Sequence, residues 1–285
     1  MQKVIVIVGP TSSGKTAYSV ELAQKIGGEV ISADSRQVYK GLDIGTGKVT
    51  KREMKRIPHH LLDVVSPKKV FTAHDFVKLG RKAIDDVIAR GKTPIICGGT
   101  GFYIDALLGR ITLPEVPVNQ TLRQKLEKKT ASQLFTLLKK LDPRRASEID
   151  QHNPVRLVRA IEIAKALGAV PKLSRPRLDN FGKNLSIEWI GLNPNDVTLR
   201  KKIHDRLIAR MKSGMVREVE RLHAQGLSYK RMESLGLEYR WIARYLQGKI
   251  DKKTMLEELE KDIWHYARRQ MTYWRRNSDI TWKKP

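Results

Sequence analysis

The chain contains a single cysteine, Cys97, among 285 residues. One thiol excludes an internal disulfide framework and any cysteine-rich zinc site. No run of about 18 apolar residues is present, which excludes a helix spanning a bilayer. Met1 passes almost at once into the apolar string "VIVIVGP". A cleaved leader is therefore not expected, and the cytoplasm is the expected location. The seven histidines show no ligand spacing, and repeats and low-complexity tracts are lacking. Acidic residues are scarce. Against 55 Lys and Arg stand 30 Asp and Glu, a formal net charge of +25.

What is present describes a globular chain. Hydrophobic residues make up 40% and charged residues 30%, the balance of a protein with a sizeable core. The length fits one large domain or a domain with an insert. The basic excess runs through segments with folded character and is not confined to a tail. Such an excess costs self-repulsion and favours polyanionic partners, nucleic acid first among them. A lysine-rich, heat-adapted surface is the plainer alternative.

The first hundred residues alternate strand and helix. "KVIVIV" reads as a buried strand, followed by a glycine loop that opens a helix reaching about Ile26. "EVISAD" is a second strand ending at Asp34, and "TPIICGG" a third. Between them, Phe76, Leu79, Ile84, Val87 and Ile88 have helical spacing, with Thr72 placed to cap the start and Gly91 just past the end. A short helix is expected from about Phe102 to Leu108. This alternation predicts an α/β fold with a parallel sheet flanked by helices. Beyond Arg110 the pattern changes. A proline-punctuated connector leads to helices at about 121–129, 131–141 and 154–167, the last with Pro154 in its first turn and Gly168 after its end. "LSIEWIGLN" returns to strand character, and the remainder is mostly helix, including a long one from about Asp251 to Asn277. Residues 111–184 are thus expected to form a helical insertion domain. Residues 1–110 and 185–285 are expected to form the core.

"GPTSSGKT" matches the pattern G-x-x-x-x-G-K-[ST] through Gly9, Gly14, Lys15 and Thr16. In such a loop backbone N–H groups turn toward phosphate oxygens, the helix N-terminus and the lysine add positive charge, and the hydroxyl can hold Mg²⁺. The expected diphosphate-binding residues are Gly9, Pro10, Thr11, Ser12, Ser13, Gly14, Lys15 and Thr16. ATP is the usual occupant, but an ATP-using enzyme generally places an acidic residue at the end of a second apolar strand. Asp63 in "HHLLDVV" is the nearest candidate, in a weak strand, and "TPIIC" ends in glycines. The loop could serve any diphosphate. Ligands of open parallel sheets sit beyond the carboxyl ends of the strands. There Asp34 can act as a general base or cap a turn. "GGTG" can bring backbone and the Thr100 hydroxyl to a ligand or simply make a tight turn.

Taken in order, "GPTSSGKT", "ISADSRQVYKGLDIGTGK", "PHHLLDV", "GGTGFYIDALL", "NPVRLVRAIEI" and "ARRQMTYWRR" resemble the tRNA dimethylallyltransferase family over nearly the whole chain. The resemblance implies a P-loop-type core with a helical insertion domain. It also implies transfer of a dimethylallyl group from dimethylallyl diphosphate to N6 of the adenosine 3′-adjacent to the anticodon, in tRNAs reading codons that begin with U, with Mg²⁺ held at Thr16. Asp34 would accept the amino proton and Thr100 align the base. Arg206 or Arg210, from "HDRLIARM", would help bind diphosphate. The tRNA-facing positions it implies are Asp34, Ser35, Arg36 and Gln37; Thr100 and Arg123; Val155, Arg156, Leu157, Val158 and Arg159; and Ser234, Leu235, Gly236, Leu237, Glu238 and Tyr239, where Leu237 departs from the usual tyrosine. The last helix adds Arg268, Arg269, Gln270, Met271, Thr272, Tyr273, Trp274 and Arg275. Spacing places Trp264, Ala267, Met271 and Trp274 on one apolar face that packs on the core. With one cysteine the chain lacks the C-terminal zinc finger of some eukaryotic members, and its length resembles that of bacterial ones. A monomer is expected.

Three other readings are kept. An adenylate isopentenyltransferase shares the chemistry but needs no basic insert. A small-molecule kinase rests on the phosphate loop alone. An RNA-binding protein without catalysis leaves Lys15, Thr16, Asp34 and Thr100 unexplained.

Overall fold

The computed structural model describes residues 1–171 and 180–284. Its sheet contains six parallel strands: β1 (Gln2–Val8), β2 (Gly28–Ser32), β3 (His59–His60), β4 (Thr93–Cys97), β5 (Leu185–Leu192) and β6 (Thr281–Lys283). Their order is β3-β2-β4-β1-β5-β6. β1 lies near the centre because it is apolar on both faces. Val4, Val6 and Val8 pack into one core with Ile31 and Ile96. Ile5 and Ile7 pack into the other with Val30, Ile95 and Cys97. This is the period-two signature of a strand covered on both sides.

The chain divides into two compact units, Met1–Arg110 with Leu178–Pro285, and Ile111–Arg177. The division falls a few residues before 184. The short helix Asn180–Lys183 then leads into β5. In the first unit the Ala73–Ala89 helix starts with a capping box, in which the Thr72 side chain accepts from Asp75 N–H and Asp75 returns the bond. In the second unit Leu134, Leu138, Leu157 and Ile161 form a separate apolar core. Beside it the Glu162 carboxylate is almost wholly enclosed. It accepts from Asn119 N–H at 2.7 Å, from Arg123 through Nε at 3.1 Å and Nη2 at 2.9 Å, and from Arg159. Burial pushes its pKa up, but these donors outweigh it and hold the group below the ordinary value.

Three boundaries differ from the sequence expectation. β2 ends at Ser32, so Asp34 stands beyond the ladder. The long helix runs Lys252–Trp274, shorter than expected, with Asp251 capping Thr254 N–H at 2.7 Å. β6, three exposed residues on the sheet edge, is not legible in the sequence because so short a strand has no period to detect.

A helical layer in the first unit is joined to the sheet loops by one carboxylate. Glu218, on the Met215–Ala224 helix, is buried. Its oxygens accept from Asp43 N–H at 3.0 Å, Ile44 N–H at 2.7 Å, Gly45 N–H at 3.0 Å and the Tyr239 hydroxyl at 2.8 Å. Gly45 lets the Tyr239 ring approach, since a Cβ there would stand 2.7 Å from it. Glu218→Ala strands four donors, two of them buried, and each buried one costs on the order of 1–3 kcal/mol. Urea denaturation should therefore show a stability loss of at least about 3 kcal/mol, larger than that of Glu218→Gln, which keeps one acceptor oxygen.

Candidate active site

The loop after β1 is shaped by sterics. Gly9 has φ +146, and a Cβ on it would lie 2.5 Å from the Leu192 carbonyl oxygen. Ser12 takes a left-handed φ of 61, and Gly14, with φ 90, precedes the Lys15–Ile26 helix. Lys15 donates from Nζ to the Pro10 carbonyl at 2.6 Å. Burial, only partly offset by Cys97 and Asp34, pushes its pKa down to about 8. Ser13 is fully buried, and its Oγ has no hydrogen-bond partner. An orphaned hydroxyl and a desolvated ammonium in one loop are the marks of an anion cradle.

This loop borders a cavity of about 390 Å³. Thr11 through Thr16 line it, together with Asp34, Gln37, Gly47, Lys202, Arg206, Tyr266 and Gln270. Asp34 Oδ1 accepts from Arg36 N–H at 2.7 Å and Gln37 N–H at 3.3 Å. The residue thus caps a turn, and its second oxygen takes part in neither bond. Thr100 joins the loops beyond β2 and β4: its Oγ1 accepts from Ser35 N–H at 3.1 Å. Gln37 receives the Ser32 hydroxyl at 3.3 Å and donates to the Gly47 carbonyl at 3.5 Å.

The glycines of "GGTG" admit protein, while Gly98 and Gly99 also line the cavity. A Cβ at Gly98 would lie 2.2 Å from the Ala33 carbonyl oxygen, at Gly99 1.9 Å from Gln270 Nε2, and at Gly101 2.3 Å from the Tyr273 ring. The string makes a tight turn and at the same time borders the cavity.

The two arginines of the Asp196–Lys212 helix separate in role. Arg210 Nη1 bonds the Gly45 carbonyl at 3.2 Å and Glu238 Oε1 at 3.0 Å. Arg206 Nη2 bonds the Gly47 carbonyl at 3.2 Å, and its side chain faces the cavity. Burial and the adjacent Arg210 charge push Arg206 down to about 10. Gly47 makes room for both, since a Cβ there would stand 2.3 Å from Arg206 Nη2 and 2.0 Å from Arg210 Nη2. Neither Lys15 nor Arg206 has an ion-pair partner among the described residues. Asp63 pairs with Lys48 at 2.5 Å and is not part of the cavity wall.

Sequence reasoning missed Lys202 and Tyr266. Both lie four residues before a cavity residue on the same helix, Arg206 and Gln270, so an i, i+4 reading of those helices would have found them. Burial pushes the Tyr266 phenol well up, and Thr100 is its hydrogen-bonding neighbour. His59 and His60 are structural: His59 Nδ1 meets the Ile57 carbonyl at 2.9 Å, and His60 meets Glu29 at 2.7 Å.

Several expected RNA-facing residues need correction. Leu157, Val158, Leu235, Glu238, Tyr239, Gln270, Met271 and Trp274 are buried, which withdraws their side chains from contact with a macromolecule. Arg123 and Arg159 both pair with Glu162 and remain half-buried rather than enclosed. Ser234 is exposed, Gly236 and Leu237 are half-buried, and Gly236 takes φ 79 and ψ −177 at the start of the Leu237–Leu246 helix. Arg156 is exposed beside Val155 on the Pro154–Leu167 helix. On the long helix Arg268, Arg269, Thr272 and Arg275 are exposed and Tyr273 is half-buried, its hydroxyl donating to Asp105 at 2.5 Å. Arg268 pairs with Asp196 at 2.9 Å.

The sequence pattern of one family, described as IPP transferase, matches residues 37–277. A tRNA dimethylallyltransferase 1 of Geotalea uraniireducens is 42% identical over 274 residues, 95% of this chain and 88% of that protein. A tRNA dimethylallyltransferase of Anoxybacillus flavithermus is 37% identical over 284 residues, 99% of this chain and 90% of its own. Among solved structures, the tRNA isopentenylpyrophosphate transferase of Bacillus halodurans aligns with a TM-score of 0.74 at 33% identity, covering 100% of this chain and 90% of that one. A eukaryotic dimethylallyltransferase acting on tRNA aligns with a TM-score of 0.80 at 25% identity, covering 100% and 74%. The family pattern over residues 37–277, together with relatives about 40% identical over nearly the whole chain, places this chain in the IPP transferase family.

Proposed function

We propose that the protein transfers a dimethylallyl group from dimethylallyl diphosphate to N6 of the adenosine 3′-adjacent to the anticodon, in tRNAs reading codons that begin with U. The observation that carries the donor assignment is the pair of half-buried cations, Lys15 and Arg206, in one cavity wall with no ion-pair partner among the described residues. Displacement at an allylic carbon releases diphosphate, so the site has to receive negative charge. Preorganised N–H groups and desolvated cations do this far better than water does. An ATP-hydrolysing alternative loses its acidic candidate, because Asp63 is committed to Lys48.

Asp34 accepts the proton of the adenine amino group as the new C–N bond forms. An exocyclic amine has a conjugated lone pair and is a poor nucleophile, so proton acceptance contributes on the order of 10²–10⁴-fold. Thr100, its oxygen receiving Ser35 N–H and its side chain bonded to Tyr266, is held at the place where it would align the base. Thr16 would hold Mg²⁺, which lines up with a donor set of hydroxyl plus diphosphate oxygens. Mg²⁺ keeps several waters and needs no all-protein cage, and no cluster of three or more His, Cys, Asp or Glu able to hold a metal occurs among the described residues. When bound, the ion would neutralise part of the leaving group's charge. Residues 111–184 form the tRNA-binding insertion, with the exposed Arg156 among its cations. The exposed basic residues of the long helix follow the phosphate backbone. The protein acts as a monomer in the cytoplasm; among the described residues no helix is long and apolar enough to cross a membrane.

Mass analysis of nucleosides from unmodified tRNA, after incubation with protein, Mg²⁺ and dimethylallyl diphosphate, should show N6-dimethylallyladenosine without ATP. Product on a free adenine nucleotide alone, or ATP consumption without transfer, would sink this reading. Asp34→Ala should lower kcat by about 10²–10⁴-fold while tRNA affinity by filter binding stays within about threefold. Arg206→Ala should raise the KM for the donor by at least about tenfold, as loss of a charged hydrogen bond predicts. Arg210→Ala should act chiefly on stability, because its partner Glu238 is left buried. In fluorescence titrations across salt, Arg156→Ala should weaken tRNA binding and reduce the salt slope by about one. A slope unchanged from wild type would remove Arg156 from the interface.

A further inference from the structure

Gln270 lies near the end of the Lys252–Trp274 helix with its side chain buried. Its Oε1 accepts from Thr11 N–H at 2.8 Å, and its Nε2 donates to the Gly99 carbonyl at 3.0 Å. One of these backbone groups belongs to the phosphate loop after β1, the other to the turn after β4, and both loops line the same cavity. A carboxamide carries an acceptor and a donor side by side and so can satisfy both. The turn is built to receive it: at position 99 anything larger than glycine would collide with Nε2, at 1.9 Å. The Thr11 N–H is thereby taken by protein and is not one of the groups offered to phosphate. The Gly99 carbonyl, and with it the neighbouring Thr100, is fixed relative to the phosphate loop.

We infer that Gln270 is a positioning residue, which sets the separation between the donor's diphosphate cradle and the Thr100 side of the cavity where the accepting base is aligned. The inference rests on the transfer reaction proposed above. It removes Gln270 from the RNA-contacting group and gives it a role through two backbone loops.

A carboxyl introduced by Gln270→Glu tests the hydrogen-bond pattern itself. Protonated, it is the isostere of the carboxamide, accepting from Thr11 N–H and donating to Gly99. Ionised, it meets the Gly99 carbonyl with a second acceptor. Removal from water favours its neutral form, and the cavity's cations oppose this. The charged and titratable groups sharing the cavity are Lys15 from the phosphate loop, Asp34 from beyond β2, Cys97 from β4, Lys202 and Arg206 from the Asp196–Lys212 helix, and Tyr266 from its own helix. Glu53 and His59 also line the wall.

The experiment measures transfer kinetics, inorganic diphosphate binding by calorimetry and tRNA binding for wild type, Gln270→Glu and Gln270→Met between pH 6 and 8. Melting curves establish that each variant is folded. Gln270→Met should lose at least about tenfold in kcat/KM and bind inorganic diphosphate several-fold more weakly, because two backbone groups lose their partners. Its tRNA affinity should stay within about twofold. Gln270→Glu should resemble it at pH 8 and recover several-fold relative to wild type by pH 6. Equal losses in both variants with no pH recovery would reduce Gln270 to packing and overturn the inference. So would a folded Gln270→Met within about twofold of wild type in both transfer and diphosphate binding, or a loss confined to tRNA affinity. Failure of wild type to transfer the dimethylallyl group would count against the proposed reaction, while the diphosphate titrations would still report on Gln270.

Discussion

An all-parallel sheet delivers every strand's carboxyl end to one edge, and the chemistry of this protein is assembled from the loops beyond those ends. Such an edge is hard to hold. The loops there expose backbone donors and acceptors that no strand can pair, and the cavity wants cations kept out of water. The protein meets this with side chains from the far end of the chain. Glu218 gathers three N–H groups of the 43–45 segment. Arg206 and Arg210 reach the carbonyls of Gly47 and Gly45. Gln270 joins the phosphate loop to the turn after β4. Each tie is a polar group held against backbone partners in or beside the core, so each contributes order more than net attraction.

How much of this was legible in the sequence depends on range. Features fixed by neighbours a few residues away were readable: the phosphate loop, the Thr72 cap, and the helix between Pro154 and Gly168, which the structure reproduces as Pro154–Leu167. Features fixed by partners a hundred or more residues away were not. Nothing around Glu218 marks it as the anchor of a turn 173–175 positions earlier. The glycines of "GLDIGTGK" and "GGTG" were visible as glycines, but the atoms that require them (a tyrosine ring, two guanidinium groups, a carboxamide) come from helices late in the chain. The family resemblance supplied what local reading could not, a reason for those strings to occur together.

The arginines show the limit most clearly. A sequence presents them as equivalent positive charges, and only buried carboxylates sort them. Arg123 and Arg159 on Glu162, and Arg210 on Glu238, are structural cations. Arg206 faces the cavity and Arg156 faces solvent. The basic excess therefore overstates the charge available for a polyanion, since part of it neutralises acids the protein has already buried.

The pairing of β1 with β5 has a consequence for biogenesis. Gln2 meets Leu185 and Val8 meets Gly191, so β1 leaves the ribosome and waits for a partner almost two hundred residues behind it. At synthesis rates of about 5–20 residues per second the wait lasts roughly ten to forty seconds. Throughout it an apolar strand and an incomplete phosphate loop stand with one side uncovered. Gln270 arrives later still. Nascent chains of this protein thus pass through a period in which the most chemically specialised loop is the least finished part, and chaperones that shield apolar strands have their longest opportunity there.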